Sequence, residues 1–300
     1  MKVKTHYLII SLFIAFLFSS GRMDAQELPD ISSVPADLVV PAITVHEPGR
    51  GLRVRQTTPG WESTRVYHTL YLPRNWKAGS RFPVIVEYAG NGNFRNQYGD
   101  SCNGMPEGCS LGYGLSGGKD FIWVCLPFVD TAGGIKHNAV NWWGDIDETR
   151  RYTIATLNDL AGAFGADTAC VILAGFSRGA IACNYIGLCD DETAPVWRAF
   201  FCHSHYDGVY EHWPYPRADR ASALTRLQRL KGRPQWISQE GSVKNIQDYL
   251  LETGVKGDFT FQSIPFRNHT DRWVLRNIPQ RKAARAWLRR VVETSSSTKR

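Results

Sequence analysis

Seven stretches of the chain are rich in apolar, β-branched and aromatic residues, and each has the length of a strand. From residue 82 onward these stretches contain few polar positions, a pattern that is typical of strands covered on both faces. They lie at 65–73, 82–90, 121–128, 170–175, 197–204, 234–240 and 259–266. The pattern therefore predicts a buried sheet.

Segments with apolar residues at helical spacing separate most of these strands. In 147–165, Ile154, Leu157 and Leu160 recur every three positions, and further helical segments follow at 179–188, 242–253 and 281–293. Strands that alternate with helices predict right-handed crossovers and a mainly parallel central sheet flanked by helices. Ligands of such sheets bind beyond the carboxyl ends of the strands, so we look for functional residues in the loops found there.

The N-terminus predicts export. A basic start precedes the apolar block 8–20, and small residues then offer a cleavage point after Ala25. We therefore expect a signal peptide at 1–25 and a single α/β domain at 26–300, secreted or periplasmic. No later apolar run is long enough to span a bilayer, so we expect no stable membrane insertion after cleavage.

Charge and cysteine content narrow the function classes. The formal net charge is +7, but the basic residues are scattered, and we predict no nucleic-acid partner. Seven cysteines leave at least one unpaired. Cys102 and Cys109 flank a short Gly/Pro-rich loop, which makes them the first choice for a disulfide in an exported protein. We find no spacing that requires a metal or another cofactor.

Ser177 is the strongest candidate for a catalytic residue. It follows the buried run CVILA and precedes a helix that begins with small residues, and Gly175 and Gly179 flank it at two positions on either side. This is the G-x-S-x-G pattern of a strand-to-helix turn that exposes a serine nucleophile.

A serine nucleophile needs a base and an acid, which follow it in the order serine, acid, histidine in this architecture. His269 lies just after the last predicted strand. Glu240 ends the preceding strand and is the preferred acid, with Asp207 as the alternative. The expected oxyanion donors are two backbone N–H groups. That of Arg178 follows the serine directly, and that of Asn91 follows the strand 82–90.

These motifs resemble those of α/β-hydrolase-fold serine esterases, especially the exported group that includes polyhydroxybutyrate-depolymerase-like and feruloyl or acetyl-xylan esterases. The likeness covers about 65–293 and rests on YLPRNWKAGSRFPVIVEYAGNG, LAGFSRGA and NHTD. It implies an α/β-hydrolase fold, a triad of Ser177, Glu240 and His269, and ester hydrolysis. Ala89 stands where such enzymes often have histidine before the oxyanion-loop glycine, and SQEGS around Glu240 departs from their Gly-x-x-Asp.

The substrate is less constrained by the sequence. Aromatic residues in predicted loops can stack on sugar rings, which favours acyl or uronate esters on plant-type polysaccharide, or related small esters, as substrates. The substrate-binding candidates are Trp142, Trp143, His205 and Trp213.

Other function classes stay open at this point. A serine peptidase of the same fold is one alternative, and a carbohydrate-binding relative without activity is another. A metal-dependent hydrolase could use His203, His205 and Asp207, which resemble part of a His-x-His-x-Asp-His motif. This motif is incomplete, because Gly208 occupies its last position.

Overall fold

The structure is a computed structural model and describes residues 27–297. The predicted signal peptide lies outside these residues. The strands are β1 Ile43–Thr44, β2 Arg53–Gln56, β3 His68–Tyr71, β4 Phe82–Tyr88, β5 Phe94–Arg95, β6 Ser101–Cys102, β7 Ile122–Leu126, β8 Val129–Asp130, β9 His137–Asn138, β10 Ala166–Phe176, β11 Ala199–His203, β12 Pro234–Glu240 and β13 Asp258–Ile264. The α-helices are α1 Leu111–Ser116, α2 Ile146–Phe164, α3 Arg178–Tyr185, α4 Arg220–Leu227, α5 Lys244–Thr253 and α6 Pro279–Ser297.

Nine strands form one sheet in the order β1-β2-β3-β7-β4-β10-β11-β12-β13. Six neighbouring strands of this sheet are parallel to one another, namely β7, β4, β10, β11, β12 and β13. Strand β3 is antiparallel to both of its neighbours. All seven predicted strands are therefore present. The mainly parallel sheet is confirmed, with β4 at its centre and β10 next to it.

Both faces of the sheet are covered, which explains why its strands read as continuous apolar runs. Alternate residues of β4 face opposite sides, so Val84 and Val86 pack into one core and Ile85 into the other. Helices α2 and α3 contribute to the first core, and α1 and α6 contribute to the second. These layers fix the strand ends from which the loops of the candidate site emerge.

The strands that sequence patterns missed are short. β1 and β2 extend one edge of the sheet, and β5 with β6 and β8 with β9 form two small antiparallel hairpins. Each has two to four residues, which is too few for an alternating pattern to stand out. Among residues 27–297, no helix has both the length and the apolar character needed to cross a membrane.

Candidate active site

Ser177 forms the turn between β10 and α3. Its backbone has φ 54° and ψ −115°, a conformation that L-residues rarely adopt and that is found where the surrounding structure enforces it. The side chain lies at the carboxyl edge of the sheet and is 8% exposed. The turn thus places a hydroxyl at the edge where ligands of parallel sheets bind.

The two flanking glycines permit this turn because neighbouring backbone occupies the space of a side chain. A Cβ atom on Gly175 would lie 2.1 Å from the carbonyl group of Gly179. A Cβ atom on Gly179 would lie 2.0 Å from the Tyr88 carbonyl oxygen. The spacing of glycines around Ser177 is therefore a requirement of close backbone packing.

His269 reaches the serine from the loop that follows β13. Its Nε2 lies 3.1 Å from Ser177 Oγ. Its backbone N–H donates to Asp100 Oδ2 at 2.9 Å, and the rings of Phe94 and Phe176 lie against the imidazole with centroids 5.0 and 4.8 Å away. The histidine is thus held by a hydrogen bond from its backbone N–H and by packing against two aromatic rings. Asp100 was not found from the sequence, because its role depends on a loop 169 residues away along the chain.

Glu240 ends β12 and faces the other nitrogen of the same ring. Its Oε1 is within hydrogen-bond distance of His269 Nδ1. Burial alone would raise the pKa of Glu240, but the hydrogen bond and charge of His269 outweigh burial and lower the pKa to about 2. The carboxyl group is therefore ionised at neutral pH and fixes the proton of the imidazole on Nδ1, which leaves Nε2 free to accept the proton of Ser177.

A second hydroxyl, which sequence reasoning missed, joins this pair. Ser204 follows β11 directly and is fully buried. Its Oγ lies 2.6 and 2.7 Å from the two oxygens of Glu240 and 2.8 Å from His269 Nδ1. Its position after a parallel strand was the available signal, but in the sequence HSHYD the two flanking histidines and the aspartate are the more obvious candidates.

Asp207 is not the acid of this arrangement, so that alternative is wrong. Its two oxygens accept hydrogen bonds from Arg226 Nε at 2.7 Å and Nη2 at 2.9 Å, and from the Tyr215 hydroxyl at 3.0 Å. The carboxylate is buried and faces α4 rather than His269. Its partners hold the segment 205–220 in place.

The metal-site interpretation is also wrong, because the three predicted ligands do not converge. The buried ring of His203 uses both nitrogens within the protein, with Ser238 Oγ 3.0 Å from Nδ1 and the Thr270 carbonyl 3.1 Å from Nε2. Asp207 is occupied by Arg226. His205 instead lies beside His269, with ring centroids 5.2 Å apart. Burial, reinforced by the charge of His269, lowers the pKa of His205 to about 4.

The expected oxyanion loop is fixed by two residues that contact the segment 140–143. Asn91 Oδ1 accepts from the Trp142 N–H at 2.7 Å. The guanidinium of Arg178 donates to the carbonyls of Trp142 at 2.5 Å and Gly104 at 3.0 Å. Burial lowers the pKa of Arg178 to about 9. This side chain therefore braces loops, while its N–H lies in the first turn of α3, where backbone donors have no partner in their own helix.

Aromatic rings form a wall beside His269. Trp213 lies 5.0 Å from the ring of His205 and 5.5 Å from that of Trp142, measured between centroids. All three are half-buried. Trp143 was predicted wrongly as a substrate contact. It is 4% exposed and packs into the core against Phe128, Tyr185 and Tyr215.

The predicted disulfide between Cys102 and Cys109 is not formed, and both thiols are free. The sulfur of Cys109 is buried within 4.8 Å of ligand atoms of Cys125 and Glu87. Cys102 lies instead next to Gly90, where a Cβ atom would meet its sulfur at 3.1 Å. The short sequence distance between these two cysteines was therefore misleading, since they face different neighbours.

Solved structures provide the comparison that the sequence does not. No protein-family model matches the chain, and neither does any curated protein. A fungal esterase from Rhizomucor miehei is similar over 84% of this chain and 87% of its own, with a TM-score of 0.54 and 14% identity. An S-formylglutathione hydrolase from Agrobacterium tumefaciens is similar over 82% of this chain and 97% of its own, with a TM-score of 0.51 and 14% identity.

The chain has the α/β-hydrolase fold. A putative dipeptidyl aminopeptidase IV from Bacteroides ovatus is also similar, with a TM-score of 0.53 and 12% identity over 80% of this chain. The chain spans only 35% of the length of that protein. At these identities the likeness extends to the fold alone, and the chemistry must be argued from the residues of this chain.

Proposed function

We propose that the protein is a serine hydrolase of carboxylic esters. The observation that carries this proposal is the chain of contacts from Ser177 Oγ to His269 Nε2 at 3.1 Å and from His269 Nδ1 to Glu240. A nucleophile, a base and an orienting carboxylate in this order are the requirements for acyl transfer through a serine.

The reaction follows from these contacts. His269 Nε2 takes the proton of Ser177 as its oxygen bonds to the ester carbonyl carbon, and the N–H groups of Arg178 and Asn91 stabilise the oxyanion. The imidazolium, balanced by Glu240, returns the proton to the leaving alkoxide as the C–O bond breaks. A water molecule, deprotonated by His269, then releases the acyl group as the acid.

The aromatic wall supports a carbohydrate ester as substrate. Trp213 is half-buried between Trp142 and His205, and His205 in turn lies against His269. Flat rings at such a position can stack on a sugar that carries the acyl group. The buried guanidinium of Arg178 is bound to carbonyls and gives no support to recognition of a uronate. We therefore favour acyl esters of polysaccharide or small acylated sugars, and we infer from residues 1–25 that the enzyme acts after export.

A panel of esters tests this function. The purified protein is expected to hydrolyse p-nitrophenyl acetate, and to hydrolyse acetylated xylan or methyl ferulate in preference to methyl glucuronate. S177A should lower kcat by about 10⁴-fold or more without a change in melting temperature. Turnover that survives in S177A would overturn the proposal. Folded wild-type protein that hydrolyses none of these esters would favour a binding protein, and cleavage of dipeptide amides alone would favour a peptidase.

A further inference from the structure

Ser204 occupies a strained backbone position directly beside the proposed catalytic pair. Its φ is +87°, a value that glycine adopts readily and a side chain with a Cβ does not. Its N–H donates to the Ser238 carbonyl at 2.8 Å, which ties the start of this loop to β12. A residue that is kept in such a conformation without being glycine suggests that its side chain is needed there.

The hydroxyl of Ser204 completes the hydrogen bonding of Glu240. Ionised Glu240 can only accept, so the single hydroxyl proton of Ser204 is donated to the carboxylate, 2.6 Å from Oε1 and 2.7 Å from Oε2. The lone pairs of Ser204 Oγ then face His269 Nδ1 at 2.8 Å, and they can accept only if Nδ1 carries the proton. The tautomer that leaves Nε2 free toward Ser177 is therefore favoured by two acceptors rather than one.

The neighbouring residues hold this hydroxyl at the required place. His203, one residue earlier, is bound through its ring to Ser238 Oγ and to the Thr270 carbonyl next to His269. His205, one residue later, lies against the ring of His269. The segment His203–His205 thus connects the ends of β11 and β12 with the histidine loop, and in the described structure Ser204 is its only member that hydrogen-bonds to both Glu240 and His269.

We propose that Ser204 is a positioning residue for the reaction, which fixes the orientation and tautomer of His269 both by direct contact with Nδ1 and by its hydrogen bond to Glu240; this inference rests on the proposed function. The hydroxyl does not touch the substrate in this role. Its loss should leave substrate binding intact and lower the rate of every step in which His269 accepts a proton.

Two variants separate the hydroxyl from the backbone conformation. Ser204→Ala removes the hydroxyl and keeps the strain of the backbone, whereas Ser204→Gly removes both. We expect both to lower kcat for p-nitrophenyl acetate by about 10- to 100-fold, the scale of a misplaced catalytic group, with KM within about twofold of wild type. Ser242→Ala is the matched control for kcat and KM, because Ser242 is exposed two residues after Glu240 and its hydroxyl accepts from the Lys244 N–H at the start of α5 rather than from the catalytic pair. It should behave as wild type.

A second readout does not depend on the ester chosen. The rate of covalent labelling of Ser177 by a fluorophosphonate should fall by the same factor in both variants. In proton NMR, the downfield Nδ1–H resonance of His269, assigned by its loss in His269→Gln, should shift or broaden in both. A structural role alone would lower the melting temperature of Ser204→Ala and leave Ser204→Gly active.

The outcomes distinguish this proposal from the proposed function. If wild type reacts and either variant keeps the wild-type rate and the wild-type resonance, the role of Ser204 is refuted while the hydrolase stands. If folded wild type neither hydrolyses the esters nor reacts with the fluorophosphonate, the hydrolase proposal itself is refuted, and the inference on Ser204 falls with it.

Discussion

Two carboxylates near neighbouring strand ends, the half-buried Glu240 and the buried Asp207, have opposite surroundings. Glu240 accepts hydrogen bonds from His269 and Ser204 beside the candidate nucleophile. Asp207 accepts them from Arg226 and Tyr215, away from it. Arginine keeps its proton at any ordinary pH, whereas an imidazole can take up and release one. Burial alone therefore does not make an acid catalytic, and the partner decides between a structural and a chemical role.

The largest expected effect that separates the two carboxylates is on the rate. Glu240→Gln should lower kcat for p-nitrophenyl acetate by about 10³- to 10⁴-fold, because an amide no longer enforces the productive tautomer of His269. The melting temperature should change little. Glu211→Gln serves as the control, since Glu211 is exposed and, among residues 27–297, pairs with Arg220 at the surface. Activity within tenfold of wild type would mean that another group is the acid.

Asp207→Asn should show the reverse pattern. It leaves the buried charge of Arg226 uncompensated, which costs about 3–5 kcal/mol of unfolding free energy, while kcat of the folded protein stays within several-fold of wild type. Urea unfolding and active-site titration measure the two quantities. The double variant with Arg226→Gln should be more stable than Asp207→Asn alone. A fully stable Asp207→Asn that loses activity as Glu240→Gln does would reverse the assignment.

A smaller effect concerns the segment 205–220 that Asp207 holds. Trp213→Ala should raise KM for an acylated sugar by about tenfold, which corresponds to about 1.4 kcal/mol, and leave kcat for p-nitrophenyl acetate nearly unchanged. Trp76→Ala is the matched control, because Trp76 is half-buried as Trp213 is but packs against Phe164 at the end of α2. It should lower the melting temperature and leave KM unaffected. An unchanged KM in Trp213→Ala would remove the sugar-stacking role.

The smallest expected effect at neutral pH is on stability, and it grows as the pH falls. Burial lowers the pKa of His203 to about 4, below the ordinary value of about 6.5. The unfolded chain therefore binds more protons between these values, and stability should fall as the pH decreases from about 6.5 to 4. In urea unfolding at several pH values, His203→Asn should reduce the number of protons taken up on unfolding by up to one. His212→Asn, at an exposed position, should leave this number unchanged. Equal slopes in wild type and His203→Asn would contradict the buried neutral state.

The sheet, the turn at Ser177 and the place of its partners could be predicted from the sequence. The seven strands were visible because both faces of the sheet are covered, so each strand is an apolar run. The turn at Ser177 was visible because close backbone packing admits only glycine at positions 175 and 179. The order of strands then predicted that His269 and Glu240 would follow the serine at the same edge of the sheet.

What the sequence did not reveal depends on contacts between distant segments. Asp207 could be assigned to Arg226 only once α4 was packed against the loop after β11. The position of Ser204 depends on its positive φ. Glycine is the residue that signals a positive φ in a sequence, and serine gives no such signal. Trp143 was expected to contact substrate and Cys109 to form a disulfide with Cys102, yet both side chains turn into the core.

Mass-spectrometric mapping of a fluorophosphonate adduct on the folded protein tests most directly whether Ser177 and His269 act together. We predict one adduct, on the peptide that contains Ser177, formed at a rate that falls at least a hundredfold in His269→Gln. An adduct on another residue, or a rate that does not depend on His269, would contradict the central claim that these two side chains act together.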